Sequence, residues 1–305
     1  MGAHAEVIVE PKTTPAASSG SRLPSIASRF RDPRTVQLVL LGSVLAGGAW
    51  RYDLNVGLAQ IALTFAAGII TQLALDRIAG RRTRSLRSPL VTSLSISILL
   101  RADSLSAYPA AAVAAIGSKY LLRARGKHLF NPSCFGVIFA LCAFPGVWVS
   151  PGQWGAGVAI AGWIIAAGMM VTARAASADI SASFTVFYGA GLAARLLWFG
   201  QRFAVLLHQM SNGALLLFAF FMLSDPKTIP DGRRGRIVHA ATVAAVAFVL
   251  EFWLYANNAL LWALFLAAPA VMLWDVRWPA PQFTWESEGE NECAGHRSSI
   301  GQGSR

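Results

Sequence analysis

Long apolar blocks, separated by short polar stretches, occupy most of the chain. Ten blocks can be distinguished, at residues 35–50, 54–75, 88–100, 108–122, 130–149, 154–173, 180–200, 208–224, 235–254 and 259–276. Apolar runs of this kind are typical of helices embedded in a bilayer, whereas a helix of a soluble domain shows an apolar stripe on one face only. The pattern therefore predicts an all-α integral membrane protein with about ten transmembrane helices.

The overall composition agrees with this class. Hydrophobic residues make up 55% of the 305 residues and charged residues 13%, against about 25% charged residues in soluble domains. The stretches at the two ends are polar, and the last one carries glutamates at 286, 288, 290 and 292. We expect a transmembrane domain over 35–279, flanked by disordered cytoplasmic tails over 1–34 and 280–305.

The formal net charge of +11 is distributed unevenly between the two sides of the membrane. If the chain starts in the cytoplasm and changes side at every block, all Lys and Arg residues except Arg51, Arg101, Arg195 and Arg202 fall on the cytoplasmic side, as the positive-inside rule requires. A nucleic-acid-binding protein would instead collect them on one folded surface. We expect a multi-pass protein of the inner (cytoplasmic) membrane, surrounded by lipid, with both termini in the cytoplasm and no nucleic-acid partner.

The ten blocks divide into two sets of five, and a second copy of an odd-numbered unit must enter the membrane upside down. The third and eighth blocks are both short and run into polar residues and a proline, in ILLRADSLSAYP and FFMLSDPKTIP. We therefore expect two inverted five-helix repeats, with short or interrupted helices at the repeat interface. Such helices usually meet near the midplane and bind a ligand or ion, and the alternative is a pair of re-entrant turns that only close the bundle.

The first candidate site is the stretch GKHLFNPSCFG, residues 126–136, at the start of the fifth block. Asn131 and Pro132 form a typical helix start, since asparagine caps the free amides and proline suits the first turn. Free amides at such an end attract an anion or a carbonyl group, and Lys127, His128 and Ser133 flank them. The alternative is a well-made cap with no ligand.

The second candidate site is the stretch around the eighth block. Asp225 and Pro226 end the block, and a carboxylate there is costly unless it is paired or near water, with Lys227 as the nearest candidate partner. Ser211 and Asn212 lie at the other end of the same block, where a tight turn can open a pocket. The alternative for Asp225 is a solvated carboxylate at the cytoplasmic interface.

Other kinds of site find little support in the sequence. The cysteines at 134, 142 and 293 form no CxxC pair, so we expect no metal site. His128, His208 and Asp225 suggest acid–base chemistry, but the alternation of sides separates His208 from the other two and no nucleophile motif accompanies them. We expect no catalytic residues.

These stretches resemble the NqrB/RnfD family, the membrane subunits of sodium-pumping quinone reductase and of the Rnf electron-transport complex. GKHLFNPSCFG is similar to the family's G-x-x-x-F-N-P-A stretch, and HQMSNGALLLFAFFMLSDPKT to its H-L-L-S-G…G-A-F-F-x-x-T-D-P-V-T pattern. The resemblance covers roughly residues 36–276. It implies a fold of two inverted five-helix repeats and a role in electron transfer through flavins.

The chain departs from the family in one connection. Larger members carry FMN covalently on the threonine of an S-x-A-T motif between the fifth and sixth helices, and here that connection is only the short stretch 144–155. The resemblance therefore implies riboflavin or FMN bound non-covalently, with no covalent FMN. The leading hypothesis is a membrane electron-transfer component with a redox partner protein on the cytoplasmic side.

Two other functions stay open. A channel or permease for a small neutral solute would suit the few charges in the spans, and the family's fold resembles that of urea transporters. An accessory membrane protein of a biosynthetic gene cluster, such as those for enediynes, is the third hypothesis.

Overall fold

The computed structural model describes residues 33–51, 56–80, 85–150, 158–175 and 177–283, and this part of the chain is mainly helical. The helices are α1 (Pro33–Arg51), α2 (Leu58–Ile78), α3 (Arg87–Leu99), α4 (Ala107–Leu121), α5 (Pro132–Ala143), α6 (Val158–Arg174), α7 (Ala178–Phe199), α8 (Phe203–Met210), α9 (Gly213–Leu217), α10 (Arg233–Phe252), α11 (Ala259–Ala267) and α12 (Ala270–Arg277). A π-helical segment, Phe218–Met222, continues α9. The strands are β1 (Leu100–Ala102), β2 (Arg123–Ala124), β3 (Lys127–His128) and β4 (Val147–Val149).

Each of the ten apolar blocks contains a helix, but four blocks are not simple continuous helices. The third and fifth blocks each run into a strand, and these strands, β1 and β4, pair antiparallel with Arg101 opposite Trp148. The eighth block is broken between α8 and α9 with a bend of 48°. The tenth is broken before Pro269, between α11 and α12, with a bend of 49°. Proline removes a backbone donor from the helix, which explains the second break.

Three helices are long and apolar enough to cross a membrane: α2, α7 and α10. The number rises to five if each bent pair forms one span, a count that rests on length and composition within the described ranges. The described part is therefore consistent with an all-α membrane protein. The ten crossings and the inverted repeat stay predictions at this point.

The predicted tails lie largely outside the described residues. Residues 1–32 and 284–305 are not described, whereas α1 already begins at Pro33. At the other end, residues 280–283 follow α12 closely. There Gln282 donates a hydrogen bond of 3.0 Å from Nε2 to the carbonyl oxygen of Arg125.

The first five helices pack around α3 and α4, whose small residues allow close approach. α3 carries alternate serines among buried apolar residues and contacts α1, α2, α4 and α5. Gly136, the last residue of GKHLFNPSCFG, lies against α4, because a Cβ at this position would stand 2.5 Å from the carbonyl oxygen of Ala111. Glycine in this stretch thus serves helix packing.

Many helix ends meet at one end of the bundle, which we call the hairpin end after the β2–β3 hairpin. Here Lys119, near the end of α4, contacts Ser88 at the start of α3. The start of α7 meets the start of α10 through the ion pair between Asp179 and Arg236, at 2.8 Å. The hairpin itself turns at Arg125 and Gly126, which have φ of 52° and 83°. The hairpin end contains most of the candidate site residues.

Candidate functional site

Asn131 caps α5 as the sequence predicts, and it also joins α5 to the eighth block. Its Oδ1 accepts hydrogen bonds from the Cys134 amide (3.1 Å) and from Ser133 Oγ (2.8 Å). Its Nδ2 donates to the carbonyl oxygen of Met222 at 3.1 Å. Met222 ends the π-helical segment, where carbonyl groups lack helical partners. Asn131 therefore brings the two predicted sites together, and both polar atoms of its side chain make hydrogen bonds within the protein.

Pro132 occupies the first turn of α5 and is buried. Its missing amide would have no helical partner in that position, so the residue costs nothing there. The structure thus gives Pro132 and Ser133 roles in forming the helix start. Their predicted part in holding a ligand stays a prediction.

Lys127 is the most heavily bonded side chain of the site. Its Nζ lies 2.9 Å from Asp231 Oδ1 and 2.7 Å from Asp275 Oδ2, and it donates to the carbonyl oxygen of Ile229 at 2.8 Å. An ammonium group has three hydrogens, and three acceptors surround this one. The second carboxylate oxygen of Asp275 accepts from the Asp231 amide at 2.8 Å. Lys127 therefore fastens the hairpin to the loop before α10 and to α12.

His128 differs from its neighbours because one of its ring atoms lacks a partner. Its Nδ1 is buried and makes no hydrogen bond within the described residues. Burial, together with the positive charges of Lys119, Arg123 and Lys227, lowers the pKa of His128 to about 3, so the ring is neutral at physiological pH. A backbone hydrogen bond to Lys119 engages the ring. Nδ1 is left as an acceptor without a donor.

Asp225 follows the π-helical segment after Leu223 and Ser224, and it is half-buried. Its Oδ1 accepts a hydrogen bond of 3.1 Å from the backbone amide of Lys227. Burial raises the pKa of the Asp225 carboxyl, while that hydrogen bond and the charges of Lys119 and Lys227 act in the opposite direction. Lys227 thus acts on Asp225 through its backbone amide and its charge. Pro226, between them, is half-buried in the same turn.

Lys119 belongs to this group although its position in the sequence suggests only a loop charge. Its side chain is buried, and Nζ donates to Ser88 Oγ and Thr92 Oγ1, both at 3.0 Å. Lys119 is also an electrostatic neighbour of Asp225 and His128. The hairpin end therefore holds a polar group made of Lys119, His128 and Asp225.

Ser211 and Asn212 lie away from this group. Asn212 Oδ1 caps α9 by accepting from the Ala214 amide at 2.9 Å, and Ser211 Oγ donates to the His208 carbonyl at 3.2 Å. The ten residues from Gly213 to Met222 separate them from Asp225 by about 15 Å of helix. The structure joins the fifth-block site to Asp225 and leaves Ser211 and Asn212 at the opposite end.

The two carboxylates that bind Lys127, Asp231 and Asp275, were not among the predicted site residues. Asp275 was a detectable signal, because an acid inside the apolar stretch VMLWDVR needs a partner. Asp231 sits in an ordinary turn sequence, IPDG, and offers no such signal. Another missed pair is Asp76 and Tyr120, in which the Tyr120 hydroxyl donates to the carboxylate.

The polar group at the hairpin end offers lysine donors and the histidine acceptor Nδ1 to a ligand. Within the described residues, no group of three or more His, Cys, Asp or Glu side chains could hold a metal ion. The ring of a flavin, in contrast, presents an N–H donor between two carbonyl groups. The unpartnered Nδ1 of His128 fits such a donor, and lysine ammonium groups fit the carbonyls.

Comparison with known proteins shows a similarity to one protein family. A model of the NQR2, RnfD, RnfE family matches residues 147–278. The chain is also similar to one of the subunits of the ion-translocating oxidoreductase complex of Stutzerimonas stutzeri, with 30% identity over 124 residues, which is 41% of this chain and 31% of that protein. The similarity thus spans about a third of the relative's length. The family match contains Asp225 and Lys227 and begins after the stretch 126–136, whose resemblance to the family stays a prediction.

Proposed function

Because the chain belongs, over residues 147–278, to the NQR2, RnfD, RnfE family, we propose that it is a membrane subunit of an Rnf-type ion-translocating oxidoreductase complex. The family match is the observation that carries this proposal, and the named relative supports it. As such a subunit, the chain passes electrons to partner proteins in the inner membrane.

We further propose that the ten helical blocks form two inverted repeats of five. The packing of the helices supports this arrangement. In the first five blocks, α1 contacts α3, α2 contacts α4, and α4 contacts α5. In the last five, α6 contacts α9, α7 contacts α10, and α10 contacts α11. The same pairs of positions are thus in contact in both halves, as a repeat requires.

The hairpin end is the cytoplasmic side in this proposal. If successive blocks alternate in direction, their cytoplasmic ends lie near Ser88, Lys119, Asn131, Met222 and Arg277. In the structure these five residues lie at the hairpin end or next to residues that do. The opposite end carries Arg195, whose guanidinium stacks on Phe252 at 4.4 Å. The charge asymmetry then follows the positive-inside rule.

The cofactor in this proposal is riboflavin or FMN, bound non-covalently at the polar group of the hairpin end. His128 Nδ1 would accept from the ring N–H, and Lys119 and Lys227 would face its carbonyl oxygens or a phosphate. A bound flavin supplies one- and two-electron redox chemistry, and the protein supplies position and electrostatics. Asn131 and Lys127 would hold the surrounding segments in place and would not contact the flavin, since their polar atoms are bonded to other protein groups.

The direct test is the cofactor content of the purified protein. The chain is purified in mild detergent, its visible spectrum is recorded, and any flavin is released with acid and identified by chromatography. We expect a yellow preparation whose colour is bleached by a reductant and restored by air. A colourless protein that stays colourless after incubation with riboflavin or FMN would contradict flavin binding.

Assembly into a complex is tested separately. A tagged chain is isolated from its native membranes, and the proteins that accompany it are identified by mass spectrometry. We expect other membrane and redox subunits in fixed proportion. Isolation of the chain alone, under conditions that retain known membrane complexes, would contradict the subunit proposal.

A channel for a small neutral solute is the second candidate, and the two bent helix pairs favour it. Short or broken helices in corresponding halves are a transport architecture in their own right. The bends of 48° and 49° lie in the eighth and tenth blocks, and the short helices α3 and α5 belong to the matching third and fifth blocks. Proteoliposomes decide between the candidates. Solute flux in a flavin-free preparation would support the channel and contradict the electron-transfer proposal.

A further inference from the structure

Four exposed arginines surround the hairpin end. Arg123 and Arg125 belong to the β2–β3 hairpin, and Arg233 and Arg234 are the first two residues of α10. The two pairs are close in space because Lys127, next to the hairpin turn, is bound to Asp231, just before α10. We call these four residues the basic face.

The end of the described chain runs between the two pairs of arginines. Beyond α12 it passes the start of α10, since a Cβ on Gly232 would stand 2.8 Å from the carbonyl oxygen of Trp278. It then reaches the hairpin turn, where Gln282 Nε2 donates to the Arg125 carbonyl at 3.0 Å. Residues 278–282 therefore lead directly across the basic face.

The sequence that follows is acidic. We propose that the segment 286–292 of this chain, with its four glutamates, docks on the basic face and covers it. Glu286 comes three residues after Phe283, within about 10 Å of extended chain. In an extended conformation, glutamates at every second position would lie on one side of the segment, about 7 Å apart. The segment thus has the charge, the reach and the spacing to meet both arginine pairs.

Among the described residues, the acids near the basic face do not neutralise it. Asp231 and Asp275 are engaged by Lys127, and Asp179 is engaged by Arg236. The first turn of α10 contains no acidic residue, so Arg233 and Arg234 add to the partial positive charge of the helix start. The positive potential is left for an external or tethered anion.

The proposal has a consequence for partners and does not depend on flavin binding. A tethered anionic segment occupies the basic face at high effective concentration. An acidic partner protein must displace the segment before it can bind there. The glutamates would then set the affinity of the face for that partner.

Cys293, one residue beyond Glu292, offers a reporter position. The full-length protein carrying Cys142→Ala is labelled at Cys293 with a nitroxide, because Cys134 is buried and its Sγ is hydrogen-bonded to the Leu261 carbonyl. The labelled protein is placed in nanodiscs of neutral phosphatidylcholine. Its electron paramagnetic resonance spectrum is recorded at ionic strengths between about 0.01 M and 1 M, over which the Debye length falls from about 30 Å to about 3 Å.

We expect an immobilised spectral component at low salt that is lost at high salt. The same loss is expected at low salt in two variants. In one, all four glutamates are changed to glutamine, and in the other, the four arginines of the basic face are changed to glutamine. Arg202→Gln is the matched control, since it removes an exposed charge elsewhere and should leave the spectrum unchanged. If the arginine variant folds poorly, the salt series on the labelled protein with its arginines intact still tests the proposal.

Two results would overturn the proposal. One is a label that is mobile at low salt, or one whose immobilised component survives high salt and both sets of substitutions. The other is a component that is present in neutral nanodiscs and vanishes when anionic phosphatidylglycerol is included at low salt. In that case lipid headgroups, and not the acidic segment, occupy the basic face in a membrane.

Discussion

Lys127 Nζ lies 2.7 Å from Asp275 Oδ2, although the two residues are 148 positions apart in the sequence. The contact joins the hairpin, in the middle of the chain, to α12 at its end. Because the lysine also contacts Asp231, one buried cation balances two carboxylates at the hairpin end. The site next to it therefore depends on a structure assembled from three distant segments.

Replacement of this cation should be severely destabilising. Lys127→Met leaves two nearly buried carboxylates without their partner, and breaking a buried ion pair in this way costs about 3–5 kcal/mol. The thermal unfolding midpoint in detergent measures the effect. Arg233→Gln, an exposed charge close by, is the control and should change stability by no more than about 0.5 kcal/mol.

The double variant Lys127→Met with Asp275→Asn gives a further check. It removes one of the uncompensated charges, so part of the lost stability should return. A single Lys127→Met variant as stable as Arg233→Gln would show that the network contributes nothing.

Asn131 should reveal two separable roles. Asn131→Asp keeps the acceptor for the Cys134 amide but replaces the donor to the Met222 carbonyl with a second oxygen. Asn131→Ala loses both, at a cost of about 1 kcal/mol for the cap and about 1–3 kcal/mol for the unsatisfied carbonyl. We expect the aspartate variant to be destabilised as well, which the thermal midpoint can show.

Asn212 provides the matched control for this pair of changes. It caps α9 in the same way, but its side chain is exposed. Asn212→Asp should therefore be nearly neutral. If Asn131→Asp is neutral too, the bond to Met222 does not hold the two sites together.

The contrast between these two asparagines shows what sequence can predict. Local signals were sufficient for the cap at Asn131, for the turn at Ser211 and Asn212 and for the helices inside the apolar blocks, since each depends on neighbouring residues. The sequence also indicated that Asp225 needs a partner. The hydrogen bond from Asn131 to Met222 spans 91 positions, and no local pattern encodes such a contact.

Lys119 illustrates the same limit on the site. Its position at the end of an apolar block predicts a cytoplasmic charge, and the structure instead buries it against two hydroxyl groups of α3. Whether Lys119 is buried or exposed depends on which helix packs beside α4. Apolar periodicity does not contain that information, so the buried charges of the site could be found only from the fold.

Asp225 should make stability depend on pH. Its raised pKa means that the folded protein keeps this proton at pH values where the unfolded chain, with a pKa near 3.8, has lost it. The contribution of Asp225 is then greatest below pH 3.8 and falls as the pH rises through the raised pKa. We expect the stability of the unaltered protein, relative to Asp225→Asn, to decline with rising pH in this range. Parallel thermal midpoints across the range measure the difference, and a constant difference would contradict the prediction.

His128 should show the opposite dependence. Its pKa is lowered from 6.5 to about 3 in the folded protein, so the unfolded chain binds a proton first as the pH falls. The contribution of His128 is present above pH 6.5 and is lost as the pH drops towards 3. His128→Gln removes this titration and should flatten the loss of stability in that window. His208→Gln, a change of histidine at an exposed position away from this group, is the control variant.

The two ends of the eighth block should differ in their effect on flavin content. His128 and Asp225 belong to the polar group at the hairpin end, and Ser211 and Asn212 lie about 15 Å of helix away. His128→Phe removes the unpartnered acceptor Nδ1 and should lower the ratio of flavin to protein after purification. Asn212→Ala should leave that ratio unchanged, even if it lowers stability slightly through the lost cap. Acid release and chromatography of the flavin measure both variants. A loss of flavin in Asn212→Ala, with full content in His128→Phe, would move the site to the far end of α9 and exclude the hairpin end as the place where the cofactor binds.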